Sequence, residues 1–278
     1  MSKRRDIETQ LRSLNEIKEI MSAMKNLALM EVHRLTRFLD TQRRVVATIE
    51  AAAADFLLFH PELFPREEEF RNVHLLLGTE RGFCGDFNES LVHALDNCRG
   101  SAPKTALVVV GGKLAAKLEG DTRITASLAG ASVVDEVDSV LVKLMETLTG
   151  LSARDSVGPL RLRVFHRQPE EERVEVTVLQ PFQRPQSKNS RFGHPPLLYL
   201  KPRSLLSGLA EQYLFAELHE LLYRSLMAEN QRRMQHMDAA VRRLERTSVE
   251  LLRRRNTLRQ EEITEEIEVI MLSVKALE

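Results

Sequence analysis

The chain has 278 residues, and its 40 Lys and Arg are balanced by 40 Asp and Glu, so it has no bulk attraction for nucleic acid or an anionic membrane surface. Charged residues make up 29% and aromatic residues 5%, with no tryptophan, a mix suited to long solvated helices rather than one large round core. Two cysteines, Cys84 and Cys98, offer no disulfide framework or metal spacing, and no apolar run nears the roughly 20 residues of a membrane span.

The opening MSKRRDIETQ lacks the apolar core of a signal peptide, so a soluble, cytoplasmic chain is expected, with any membrane connection made through partners. From about Lys3 to Phe59 there is no Gly or Pro. Ile7, Leu11, Leu14, Met21, Met24, Ala28, Leu35 and Phe38 follow three- and four-residue steps, which predicts a helix with one apolar stripe, ended by Pro61 and Pro65. Residues 73–78 read as a buried strand, and TERGFCGDFN as the turn after it. A helix from about Asn88 to Cys98 follows, then a strand over Thr105 to Val110 closed by Gly111 and Gly112. A helix around Leu114 to Leu118, a short strand near Arg123 to Thr125 and a helix over Val133 to Leu148 come next. Leu160 to His166 and Arg173 to Pro181 alternate as a hairpin would.

Residues 183–196 are polar and Pro-containing, as in a surface loop, and Leu197 to Leu200 reads as a last short strand. From about Arg203 to Glu278 there is no Pro, and the only Gly is Gly208, so one very long helix is predicted. Its stripe runs through Met234, Met237, Val241, Leu244, Leu251 and Leu258, then Ile263, Ile267, Ile270, Val274 and Leu277. The five-residue step from Leu258 to Ile263 breaks the heptad phase and should alter or end the pairing there.

Two stripes are most cheaply buried against each other. The expected fold class is therefore α/β, with a long antiparallel two-helix coiled coil from the N- and C-terminal segments and an inserted small α/β, Rossmann-like layer domain. The predicted pieces are an N-terminal helix over 1–60, the inserted domain over 70–182, a connector over 183–202 and a C-terminal helix over 203–278. Leu11, Leu14, Met21 and Met24 would pack against Met234, Met237, Val241 and Leu244. At 1.5 Å per residue the helices would be roughly 80 Å and roughly 100 Å long. Such a shape suits a transmitter of force or position better than an enzyme.

Charge on the last helix is segregated, with ten arginines against four acids between Arg224 and Arg259, and six acids against one lysine from Gln260 to Glu278. A solvated helix accounts for this, although the blocks imply different surroundings at different heights.

Catalytic patterns are missing. The Gly82-Phe83-Cys84-Gly85 turn has neither a dinucleotide fingerprint nor the Lys and Ser/Thr of a phosphate loop, and Cys84 reads as a buried structural thiol. The eight histidines fall in no metal pattern. No cofactor is expected, and the chain is expected to catalyse nothing alone.

Four segments carry a resemblance. LRSLNEIKEIMSAMKNLA (Leu11 to Ala28) resembles the first helix of the γ subunit of F-type rotary ATP synthases, typified by IRSVKNTRQITKAMEMVA. GTERGFCGDFN is similar to that family's SDRGLCGGLN turn, AENQRRMQHMDAA to SEHAARMxAMDNA, and LRQEEITEEIEVI to ARQAxITQEIxEI. The resemblance implies a central rotor shaft that couples ion-driven rotation of the membrane ring to conformational cycling of the catalytic β subunits. It implies as partners the α and β subunits around the helices, and the ε subunit and membrane rotor ring at the foot. It places the chain at the cytoplasmic face of the plasma membrane, peripheral through its complex.

Residue by residue, the resemblance assigns Arg259, Gln260, Thr264 and Glu266 to the grip on β, and Met24 and Ala28 to the segment packed against it. Arg254 and Arg255, with Arg242, Arg243 and Arg253, are further candidates to face β. Ile267, Ile270, Met271, Val274 and Leu277 would turn in an apolar bearing; ordinary coiled-coil packing is the competing account of them. The sequence departs from the family at LMEVHRLTR, where Glu31 stands for a usual Lys, at Asp86 in place of Gly, and in the bulkier IMLSVKALE tail. These departures point to a divergent branch, such as the alternative, sometimes sodium-translocating enzymes. Two other readings compete: a static coiled-coil adaptor tethering two complexes, and a nucleotide-binding α/β protein with helical arms.

Overall fold

A computed structural model describes residues 2–63, 71–98, 105–154, 160–169, 173–179 and 194–275. Helix α1 spans Ser2–Phe59 and helix α5 spans Pro202–Lys275. Pro61 ends the first, because the residue before a proline is pushed out of helical geometry. Pro202 opens the second at a position where a missing N–H costs nothing. Between them lie β1 (Arg71–Leu77), α2 (Phe87–Asn97), β2 (Ala106–Val110), α3 (Gly112–Lys117), β3 (Ile124–Leu128), α4 (Val137–Arg154), β4 (Leu160–Arg167) and β5 (Val174–Leu179).

The strands form one sheet in the order β3-β2-β1-β4-β5. The first four run parallel, and β5 returns antiparallel to β4 as the predicted hairpin. Parallel strands covered on both faces need apolar residues on both, which is why ALVVV of β2 is buried throughout. Leu75, Val108, Leu162 and Val164 pack with Leu141 and Leu144 of α4, Leu35 and Leu39 of α1, and Leu218, Leu222 and Leu226 of α5. On the other face Leu76, Val109 and Phe165 pack with Phe87 and Leu91 of α2 and Leu114 of α3.

Two expectations are corrected. Residues 197–200 form no strand, and Leu197 and Tyr199 are 94% and 101% exposed. The preceding Pro195 and Pro196 have no N–H to donate to a ladder. Strand β3 also starts and ends later than Arg123 to Thr125. The Asp121 carboxylate accepts the Arg123 backbone N–H at 3.0 Å, which holds that residue in a turn. Expectations for Pro65, residues 183–193 and Leu277 lie outside the described residues.

By compactness the chain forms two units, residues 1–28 with 234–278, and residues 29–233. In the first, α1 and α5 run antiparallel, with ion pairs Arg4–Glu262 at 2.9 Å, Lys18–Glu245 at 3.1 Å and Lys25–Asp238 at 2.6 Å. All three are solvent-exposed in part, so each contributes little stability, but together they fix one register. Ile7, Ala28 and Met237 are buried in the seam. Leu11, Leu14, Met21, Met24, Met234, Val241 and Leu244 are half-buried, as far as two helices can cover each other. Helix α5 continues unbroken through the five-residue step, with Leu258 half-buried and Ile263 exposed.

In the second unit, Glu217 of α5 is pushed up to about 7, mainly by burial and then by Glu220 and Glu50, with Arg224 opposing. Between the ordinary carboxyl value of 4.5 and about 7, the folded chain therefore holds a proton that the unfolded chain has already lost. Stability conferred by that proton is present below the window and falls as pH rises through it. Glu217→Gln should raise the melting temperature of the full chain by a few degrees near pH 8 and leave it unchanged near pH 4.5. Parallel thermal melts at the two pH values check this, and an equal shift at both would refute it.

Candidate interaction surface on the C-terminal helix

Helix α1 begins at Ser2 and its first ion pair reaches Glu262. By that register the turns of α5 beyond about residue 264 face nothing on α1. The consequence is a run of uncovered apolar side chains: Ile263 is 46% exposed, Ile267 52%, Ile270 60% and Met271 64%. At about 100° per residue, Arg259, Gln260, Ile263, Thr264, Glu266, Ile267, Ile270 and Met271 fall within one arc of roughly 160°. Glu261, Glu265 and Glu268 lie on the opposite side, and Glu262 turns to Arg4. These eight residues thus share one face of one helix, whereas Arg254 falls on the other side by the same count.

Arg259, Gln260, Thr264 and Glu266 are all exposed. The Thr264 hydroxyl donates to the Gln260 carbonyl at 2.9 Å, leaving its oxygen lone pairs outward. Arg254 is exposed, whereas Arg255 is half-buried and donates to the Asn256 side chain at 3.2 Å. Val274 lies in α5, but its side chain and Leu277 are outside the described residues. An apolar strip of this kind rimmed by polar groups has the character of a protein-binding face.

A second polar cluster sits where the strand order reverses, at the carboxyl ends of β1 and β4. Sheets of this class hold ligands at that point. Here α5 fills it from within. The Glu229 carboxylate, 3% exposed, accepts the backbone N–H groups of Glu80 at 3.3 Å and Arg81 at 3.4 Å. Arg233, 5% exposed, pairs with Glu229 and donates to the Gly82 carbonyl at 3.3 Å and to Asn230 at 2.8 Å. Burial raises the Glu229 carboxyl above its ordinary value, with Arg233 opposing. Burial also pushes the Cys84 thiol up to about 12, so the thiol beside Arg233 stays protonated. The turn itself needs left-handed backbone at Phe83 and Gly85. Asp86 accepts from Arg232 at 2.9 Å and Arg167 at 3.3 Å, and Arg232 above all holds its carboxyl below the usual range. This gives the departure at Asp86 a physical reason, since the two guanidinium groups meet on its carboxylate.

Sequence reading missed this cluster. Glu229 and Arg233 were counted only among the charges of the last helix. The available signal was an i,i+4 acid–base pair directly after the apolar run Leu221, Leu222 and Leu226, where a solvated pair is out of place. Among the described residues no three His, Cys, Asp or Glu converge as metal ligands, and no helix is long and apolar enough to cross a membrane.

The ATP synthase family model matches residues 3–277. An "ATP synthase gamma chain" of Heliobacterium modesticaldum is 25% identical, with 98% of each chain covered. The rotor of the Euglena gracilis mitochondrial ATP synthase superposes with a TM-score of 0.62 at 13% identity, covering 94% of this chain and 99% of the other. A chain of the same organism's OSCP/F1/c-ring assembly gives 0.63 at 14% identity, covering 99% and 95%.

Proposed function

We propose a function for this chain from one premise: it belongs to the ATP synthase family, as a γ chain. Its function is that of the central rotor stalk, and the paired ends of α1 and α5 are the part that turns inside the catalytic ring. The observation that carries the assignment of roles is the uncovered face of α5 from Arg259 to Met271. Arg259, Gln260, Thr264 and Glu266, with Arg254 and Arg255, grip the β subunits. Ile267, Ile270, Met271, Val274 and Leu277 run in the apolar bearing. A single asymmetric shaft biases equivalent partners differently, which is how a chain with no catalytic group of its own sets the order of their conformations. The ε subunit and the membrane rotor ring are its further partners, and the complex holds the chain peripherally at the cytoplasmic face of the membrane. Commitment of the Glu80 and Arg81 N–H groups to Glu229 removes two donors from the turn that the nucleotide-binding alternative would use.

Co-expression with α and β subunits of the same source tests the reading. One copy per ring is expected, and Arg259→Glu in the purified complex should lower steady-state ATPase turnover roughly tenfold, equivalent to about 1.4 kcal/mol in the barrier. Purification away from any ring would defeat the shaft assignment. Unchanged turnover in an intact mutant complex would defeat the assignment of Arg259 to the grip.

A further inference from the structure

The rotor assignment gives no role to the polar cluster at the carboxyl ends of the strands, and one of its residues joins several turns at once. Glu80, in the turn after β1, is half-buried and points across the sheet end. A single oxygen of its carboxylate, Oε2, accepts the backbone N–H of Gly112 at 2.7 Å and of Gly130 at 2.6 Å. Gly112 opens α3 after β2, and Gly130 follows β3. Space around the carboxylate is tight: a Cβ at Gly112 would come within 3.0 Å of it, and one at Gly130 within 3.3 Å. The backbone N–H of the same Glu80 is held by Glu229 of α5. One level below, the Ser225 hydroxyl of α5 donates to the Leu77 carbonyl at the end of β1, at 3.2 Å.

We infer that Glu80 is the positioning residue that joins the α/β domain to α5 for load transfer, collecting the turns after β1, β2 and β3 onto the helix through Glu229. The inference rests on the rotor reading. Torque passing between the sheet and α5 has to cross the layer of loops at the strand ends, and a loop held by few bonds yields before a strand does. Glu80 closes that layer, because its side chain binds two of the turns and its main chain binds the helix. The hydrogen-bond geometry needs one acceptor oxygen rather than a charge, so an amide in the same place should serve.

The test uses the assembled, membrane-reconstituted complex, reading ions transported per ATP hydrolysed, ATPase turnover, and amide exchange at Gly112 and Gly130. Glu80→Ala should speed exchange of those two amides about tenfold. It should lower the transport ratio at least about twofold with ATPase turnover kept, while Glu80→Gln stays near wild type in both. A role confined to stability would not move the transport ratio. An unchanged ratio in Glu80→Ala, or an equal loss in Glu80→Gln, overturns the inference. If Glu80→Ala does not assemble, Gly112→Ala, whose added Cβ would meet the Glu80 carboxylate first, at 3.0 Å, crowds it and should lower the ratio likewise; a wild-type ratio there overturns it too. A wild-type complex that transports nothing on hydrolysis would instead count against the rotor reading itself.

Discussion

Replacing Arg233 with methionine should destabilise the folded chain by about 3–5 kcal/mol, the usual consequence of leaving a buried charge without its partner. Glu229 and Arg233 are only 3% and 5% exposed, so water cannot take the place of the lost guanidinium. The loss should depend on pH. Burial already raises the Glu229 carboxyl, and Arg233 is the first influence opposing that rise. Without Arg233 the carboxyl rises further, and the folded variant takes up a proton that the unfolded chain has released. A group raised on folding contributes stability that is present at low pH and lost as pH rises through its folded value. The penalty should therefore be largest above neutrality and shrink toward the ordinary carboxylate range. Glu229→Gln combined with Arg233→Met should recover part of the loss, because no charge is then stranded. Denaturant unfolding of the three chains at two pH values checks the prediction. A loss under about 1 kcal/mol, or one independent of pH, would mean that the pair is not the anchor its burial implies.

The elements themselves were legible because each had a local cause. The absence of Gly and Pro before His60 sufficed for α1, and TALVVV before two glycines sufficed for β2. Alternation gave β4 and β5, down to their pairing as a hairpin. The exposed strip on α5 was legible too, since Ile263, Ile267 and Ile270 keep helical spacing beyond the phase break. Leu197 to Leu200 misled because an apolar run of strand length says nothing about whether a sheet edge is available to it. The polar cluster was hidden for a different reason. Glu229 is far in sequence from Glu80 and Asp86, and each of the three looks like an ordinary surface charge beside its neighbours. Only the order β2-β1-β4 brings the turn after β1 under α5, and strand order is a long-range property that periodicity does not contain. Within that cluster, the pairing of Glu229 with Arg233 could have been suspected from spacing, but their hold on Glu80 and Gly82 could not.

Inserting one heptad into each helix at matched heights, after Ile20 in α1 and after Arg242 in α5, should abolish coupling in the assembled complex while leaving the helices paired. The ion pairs define the cut. Arg4–Glu262 and Lys18–Glu245 lie on the displaced side, Lys25–Asp238 stays on the other, and none is broken. A heptad keeps the seam in phase, so Leu11 and Leu14 still meet their partners and the expected change in stability is small. What changes is height, by about 10 Å at 1.5 Å per residue. Arg259 to Met271 would then meet the ring at a level built for other residues. Contacts of fixed height lose their complementarity under such a shift, whereas a tether only becomes longer. ATP-driven ion transport is expected to fall to background, with the ring still assembled and the ATPase no longer linked to rotation. Transport at the wild-type ratio in the lengthened complex would favour the static adaptor, because only a shaft read by position along its length has anything to lose from being lengthened in phase.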